Sequence, residues 1–131
     1  MKQPYLTDAE RQALVKKYLG KTVRIEIDRP IGYVHHKEKY DLIYPINYGY
    51  IPGVLGGDAE ELDVYLLGVS EAVEEYDATI IGVVWRTDDV EDKLVGAPAG
   101  MQFTAEEIRA AVDFQERYHT SYIETVSDGS V

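Results

Sequence analysis

Residues 43–69 read I-Y-P-I-N-Y-G-Y-I-P-G-V-L-G-G-D-A-E-E-L-D-V-Y-L-L-G-V, and the fold turns on this stretch. It opens with an aromatic segment punctuated by Pro and Gly: Tyr44, Pro45, Asn47, Tyr48, Gly49, Tyr50 and Pro52. A Gly56-Gly57 turn follows, carrying Asp58, Glu60, Glu61 and Asp63. Residues 62–69, rich in Val, Leu and Tyr, then predict a strand. Acidic side chains crowded at a strand mouth repel one another and lose hydration, which is unfavourable unless a positive charge sits among them. A hard cation with oxygen ligands meets that need. Taken in isolation, a D-x-E-x-x-D run is more often a solvated surface turn.

Upstream, Thr7-Asp8-Ala9-Glu10 is a capping box that opens a helix over residues 8–18, with Gly20 suited to its end. Val23, Ile25 and Ile27 alternate with Arg24, Glu26 and Asp28, the period of a half-buried strand, which Pro30 and Gly32 terminate. Residues 33–41 are polar and predict a loop or short edge strand. Downstream, residues 79–85 predict a strong strand after an acidic connector at 71–77, and residues 94–97 a short strand stopped by Pro98. A second capping box, Thr104 to Glu107, opens a helix to about residue 122 whose inward stripe is Ile108, Ala111, Val112, Gln115 and Tyr118. The tail at 127–131 reads as frayed. Helix, clustered strands, then helix is an α+β order.

The 131 residues and 45% hydrophobic content predict one globular domain over 1–131. With no cysteine there is no disulfide, thiolate metal site or Cys nucleophile. No apolar run reaches membrane-spanning length and no signal-peptide core is visible, so a soluble, cytoplasmic protein with no membrane partner is expected. The net charge of −11 argues against a nucleic-acid partner. It would also repel an anionic substrate, unless bound divalent cations invert the local field. The eleven tyrosines suit cores, interfaces and phosphate pockets alike.

The residues that could carry chemistry fall into two acidic groups. Asp58 and Glu60, two apart in extended chain, share a face, and a turn can bring in Asp63. Asp88, Asp89, Glu91 and Asp92 follow the 79–85 strand. Two acidic turns at strand ends can enclose two or more Mg²⁺ ions, which favour a few carboxylates and retain water. Lys93 is either a phosphoryl contact or a counter-ion to Asp92. His35, His36 and His119 lack the helical spacing of a ligand pair and read as solvated loop residues.

In Y-P-I-N-Y-G-Y-I-P followed by G-D-A-E-E-L-D-V, the chain resembles the soluble inorganic pyrophosphatases. T-D-D-V-E-D-K-L-V (87–95) is similar to that family's second acidic loop, and F-Q-E-R-Y-H (114–119) to its aromatic helix ending in Tyr-Lys. The resemblance implies a compact twisted β-barrel with flanking helices and the site at one mouth. It implies Mg²⁺-dependent hydrolysis of inorganic pyrophosphate by metal-activated water, with Mn²⁺ as a substitute ion and a homo-oligomer as a common state. On this basis Asp58, Glu60, Asp63, Asp88 and Asp92 are candidate metal ligands. Glu60 or a neighbouring carboxylate is the proton acceptor, and Lys93, Tyr48 and Tyr118 contact phosphate. Arg24 and Glu26 join the site if R-I-E-I-D (24–28) matches the family's K-Y-E-I-D strand; in the other register V-R-I-E-I matches an earlier strand. Glu60 stands where the family has Asp, His119 where it has Lys, and Lys37 near where it has Arg. The alternatives are a hydrolase of another diphosphate and a non-catalytic metal- or phosphate-binding protein.

Overall fold

The computed structural model describes residues 7–56 and 60–126. Ten elements follow in order: α1 (Asp8–Lys16), β1 (Thr22–Arg29), β2 (Val34–His36), β3 (Asp41–Ile43), β4 (Asn47–Leu55), β5 (Glu61–Leu66), β6 (Glu75–Arg86), β7 (Lys93–Ala97), α2 (Ala105–Glu116) and β8 (Ser121–Thr125). Strands β1-β4-β5-β7-β6 lie side by side, and β6 pairs back onto β1, so five strands close a barrel. The β5–β7 pair is parallel and the other barrel pairs are antiparallel. Strand β8 adds to β6 on the outside, and β2–β3 form a separate two-stranded sheet.

The strand period of two explains why β5 (E-L-D-V-Y-L) is apolar along its inner face and buried on both faces over its second half. Leu62, Val64 and Leu66 point into the barrel beside Ile25, Ile80 and Leu94. Tyr65 and Leu67 point outward, under Ile108 and Val112 of α2. Both faces are therefore covered, one by the barrel interior and one by a helix. Both capping boxes form, with Thr7 and Thr104 as N-caps. Helix α1 brings Val15 against the interior cluster.

Three expectations are corrected. Helix α2 ends at Glu116 rather than near residue 122. Its last turn tightens through Tyr118 N–H to Gln115 O and His119 N–H to Glu116 O, and residues 121–125 instead fill the open edge of β6. Tyr118 is consequently exposed rather than inward-facing. The acidic connector is partly strand, because Glu75 and Asp77 of β6 face Arg24 of β1. The polar 33–41 stretch holds β2 and the start of β3. Among the described residues no helix is long and apolar enough to cross a membrane.

Candidate active site

A cleft of ≈ 320 Å³ opens on the outer face of the barrel, lined from β1, β4, β5, β6, β7 and the end of α2. On β5 the alternation that buries Val64 turns Asp63 outward beside Tyr65. The Lys93 side chain at the start of β7 is 4% exposed, and its Nζ lies 2.6 Å from Asp63 Oδ2. The same ammonium stands 5.6 Å from the Tyr48 ring centroid. Burial, and then the Asp63 charge, push the Tyr48 hydroxyl well above its ordinary pKa, so it keeps its proton and donates to Asp63. The alternative partner for Lys93, Asp92, is committed elsewhere. Its side chain is 1% exposed, lies 2.6 Å from Arg11 Nε, and accepts the Arg86 N–H at 2.9 Å. Glu91 is the carboxylate of that loop which lines the cleft.

Three charged cleft residues escaped the sequence reading, Asp28, Arg29 and Arg86. Strict alternation puts Arg29 on the interior face with Ile25 and Ile27. The register against β4 slips between Ile27↔Gly49 and Arg29↔Tyr48, so a bulge at Asp28 swings Arg29 onto the outer face. Gly49 permits this crossing, because a Cβ there would run into the Glu26 carbonyl. The Arg29 guanidinium lies 5.5–5.9 Å from the ring centroids of Tyr33, Tyr44 and Tyr48, and donates to the Tyr44 hydroxyl. Burial raises the Asp28 carboxyl above its ordinary pKa, outweighing Arg29, and the Asp63 and Glu61 charges add to it. A bulge leaves no residue-type signature beyond the adjacent Pro30, so alternation alone could not reveal it.

At the far rim, Arg86 lies 3.2 Å from Asp89, 3.8 Å from Glu91 and 2.7 Å from Glu116. His119 Nδ1 stands 3.1 Å from Asp88 and 3.5 Å from Asp89, and these three are grouped closely enough to share one ion. Tyr118 lines the cleft and stacks on Tyr40 with ring centroids 4.8 Å apart; Lys37, between β2 and β3, lines it too.

Of the sequence candidates, Tyr48, Asp63, Lys93, Lys37, Tyr118 and His119 thus come together, with Asp88 at the rim. Arg24 does not: it is exposed on β1, 3.4 Å from Asp77 and 3.7 Å from Glu75. Glu26, opposite Tyr50 and Glu75, and Glu60, exposed before β5, are not among the described residues lining the cleft. Asp58 lies outside the described residues. The oxygen donors present suit a hard divalent cation: after burial, the nearby Asp63 and Glu61 charges add to the hold of Asp28 on its proton, which a cation would relieve.

Comparison with known proteins agrees with this architecture. A curated relative, "Inorganic pyrophosphatase 2" of Pseudomonas syringae pv. tomato, is 31% identical over 83 residues, 58% of this chain. That match spans 45% of the relative's length, so less than half of the relative is represented. The fold is similar to the inorganic pyrophosphatase structure from Ehrlichia chaffeensis, at TM-score 0.65 and 17% identity over 84% of this chain and 89% of that one. It is also similar to that from Helicobacter pylori, at TM-score 0.64 and 16% identity over 85% and 88%. The inorganic pyrophosphatase family model matches residues 15–125, from the end of α1 to the end of β8. With that match spanning barrel and cleft alike, the chain belongs to the inorganic pyrophosphatase family.

Proposed function

We propose that the cleft binds inorganic pyrophosphate and hydrolyses it to two phosphates with Mg²⁺. One observation carries the reading. In a chain of net charge −11, four cationic side chains (Arg29, Lys37, Arg86 and Lys93) meet three carboxylates (Asp28, Asp63 and Glu91) in one cleft. Such a mixture fits a polyanion held partly by cations of the chain and partly through a metal.

In this reading Arg29 and Lys93 hold phosphoryl oxygens at the barrel face, and Lys37 reaches them from the β2–β3 side. Tyr48 supplies a hydroxyl that stays protonated, while Tyr118 and His119 border the leaving phosphate. Asp28, Asp63 and Glu91, with Asp88 at the rim, are the oxygen donors for divalent ions. A bound metal would supply positive charge to the phosphoryl oxygens and lower the pKa of water. Asp28 is suited to accept the proton of the attacking water, because its site raises its affinity for a proton. Attack is in line, and no covalent enzyme intermediate is needed. A cytoplasmic location fits this activity.

The test is orthophosphate release from pyrophosphate with Mg²⁺, with Mn²⁺ and with EDTA. Release is expected with Mg²⁺, at a reduced level with Mn²⁺, and not with EDTA. A folded protein that releases no phosphate under any of these conditions overturns the reading.

A further inference from the structure

We propose that Gln115 of α2 is a positioning residue for Arg29, acting through the Tyr44 hydroxyl. The inference rests on the reading of the cleft as a pyrophosphate site. Position 115 lies on the inward stripe of α2, where an aliphatic residue would pack, yet the side chain is an amide and only 8% exposed. Its Oε1 accepts the Tyr44 hydroxyl at 2.7 Å, and its Nε2 donates to the Tyr65 hydroxyl at 2.7 Å. Tyr44 in turn accepts from Arg29 Nη1, and Tyr65 donates to Glu116 Oε2 at 2.6 Å. Glu116, itself 1% exposed, receives Nε and Nη2 of Arg86 at 3.1 and 2.7 Å. One chain of hydrogen bonds therefore runs from one guanidinium of the cleft to the other.

The chain has a direction, and the direction selects glutamine. A phenol has one proton. Tyr65 gives its proton to the Glu116 carboxylate, so Gln115 must present N–H there. Tyr44 receives Arg29, so its proton needs an acceptor, which is Gln115 Oε1. Turning the amide over would set Oε1 against the Tyr65 oxygen and leave the Tyr44 proton without a partner. Glu at 115 could not donate to Tyr65, and Leu could do neither. Arg29 needs such a restraint. It sits on a bulge, and its contacts with three tyrosine rings attract the charge without fixing the rotation of the plane. The same Nη1 lies 3.5 Å from His35 Nδ1, a long contact; the shorter directed bond to Tyr44 fixes that rotation, and Gln115 fixes Tyr44.

The experiment pairs pyrophosphate kinetics with ¹⁵N relaxation of the arginine Nε–H groups, using Gln115→Leu, Tyr44→Phe, their double variant, and each change in an Arg29→Lys background. A restraint of one hydrogen bond to a charged group corresponds to about tenfold in binding. Gln115→Leu and Tyr44→Phe are each expected to raise KM about tenfold, with a smaller fall in kcat. The double variant should be no worse than either single one, and neither change should raise KM further beside Arg29→Lys. The Arg29 Nε–H should gain mobility in both single variants without substrate. An equal KM rise in the Arg29→Lys background, or a lowered Tm with KM and Arg29 mobility unchanged, overturns the proposal and leaves Gln115 as packing. Should Gln115→Leu fail to fold, Tyr44→Phe decides alone. Should the wild-type protein lack pyrophosphatase activity, the functional reading falls, while the Arg29 relaxation still decides the positioning.

Discussion

Replacing Arg11 by Met tests how α1 is tied to the loop that follows β6. Arg11 and Asp92 are 11% and 1% exposed at the side chain and lie 2.6 Å apart. Arg11 Nε and Asp92 Oδ2 are close but poorly aligned for an N–H···O bond, so charge attraction is the main part of what holds the pair. Removing one partner of a buried pair strands the other charge, which costs about 3–5 kcal/mol; with that poor alignment the lower end, about 3 kcal/mol, applies here. Burial pushes the Asp92 carboxyl above its ordinary value although Arg11 pulls it down. The folded state therefore holds that proton more tightly than the unfolded chain does. Stability contributed by this group falls as pH rises from the ordinary aspartate value of 3.8 to the raised folded value, then levels off. Loss of Arg11 raises the folded value further and widens that window. Urea unfolding at pH 3.5 and pH 7 should thus show an Arg11→Met deficit of about 3 kcal/mol at pH 7 and distinctly less at pH 3.5. Adding Asp92→Asn, which keeps an oxygen for the Arg86 N–H, should recover most of the loss at pH 7. A deficit equal at both pH values, or no recovery in the double variant, refutes the argument.

Asp63→Asn should leave the protein folded by circular dichroism but lower kcat/KM by about 100-fold or more, since Lys93 loses its charged partner and a hard-cation ligand weakens. Millimolar Mg²⁺ should raise Tm, because an ion bound only by the folded state adds RT ln(1 + [L]/Kd) of stability; an unchanged melt at every concentration counts against the carboxylates of the cleft as ligands. Arg24→Ala should change stability by less than about 0.5 kcal/mol, as expected for an exposed ion pair, and leave kcat/KM unaltered. A large rise in KM would instead return Arg24 to the phosphate site.

The parts of the fold legible in the sequence are those governed by local rules. Both capping boxes, the alternation of β1 and the Pro98 stop after β7 depend on neighbouring residues alone. Strand β8 was not legible, because S-Y-I-E-T follows a helical pattern and becomes a strand only through the free edge of β6, far away in sequence. The site divides in the same way. Tyr48, Asp63 and Lys93 lie on regular strands, where register follows from alternation, and all reach the cleft. Arg24 and Glu26 obey the same alternation but lie on β1 before the bulge, away from the cleft. Asp28 and Arg29 reach it only because the register slips. Asp92 and Glu91 are adjacent acids with opposite fates, separated by whether a helix 80 residues earlier offers an arginine.

The charge of the chain poses the sharper question of how so acidic a protein could receive an anion. The answer lies in where the cations are fixed. Lys93 and Arg86 are each nearly buried and each anchored to a carboxylate, Asp63 and Glu116. The Asp63 carboxylate, 2.6 Å from Lys93 Nζ, holds that side chain in one direction. An anchored cation keeps a fixed direction, so under the proposed function a phosphoryl group would meet donors that need no reorganisation. Arg24, by contrast, is exposed and spends its charge between Glu75 and Asp77 on the surface. The remaining acidic surface then acts on divalent cations, which it attracts, and on nucleic acid, which it repels. Four cations against three carboxylates give the cleft lining the opposite sign to the chain, because Glu116, the strongest anchor of Arg86, is buried behind it and Asp63 is held against Lys93.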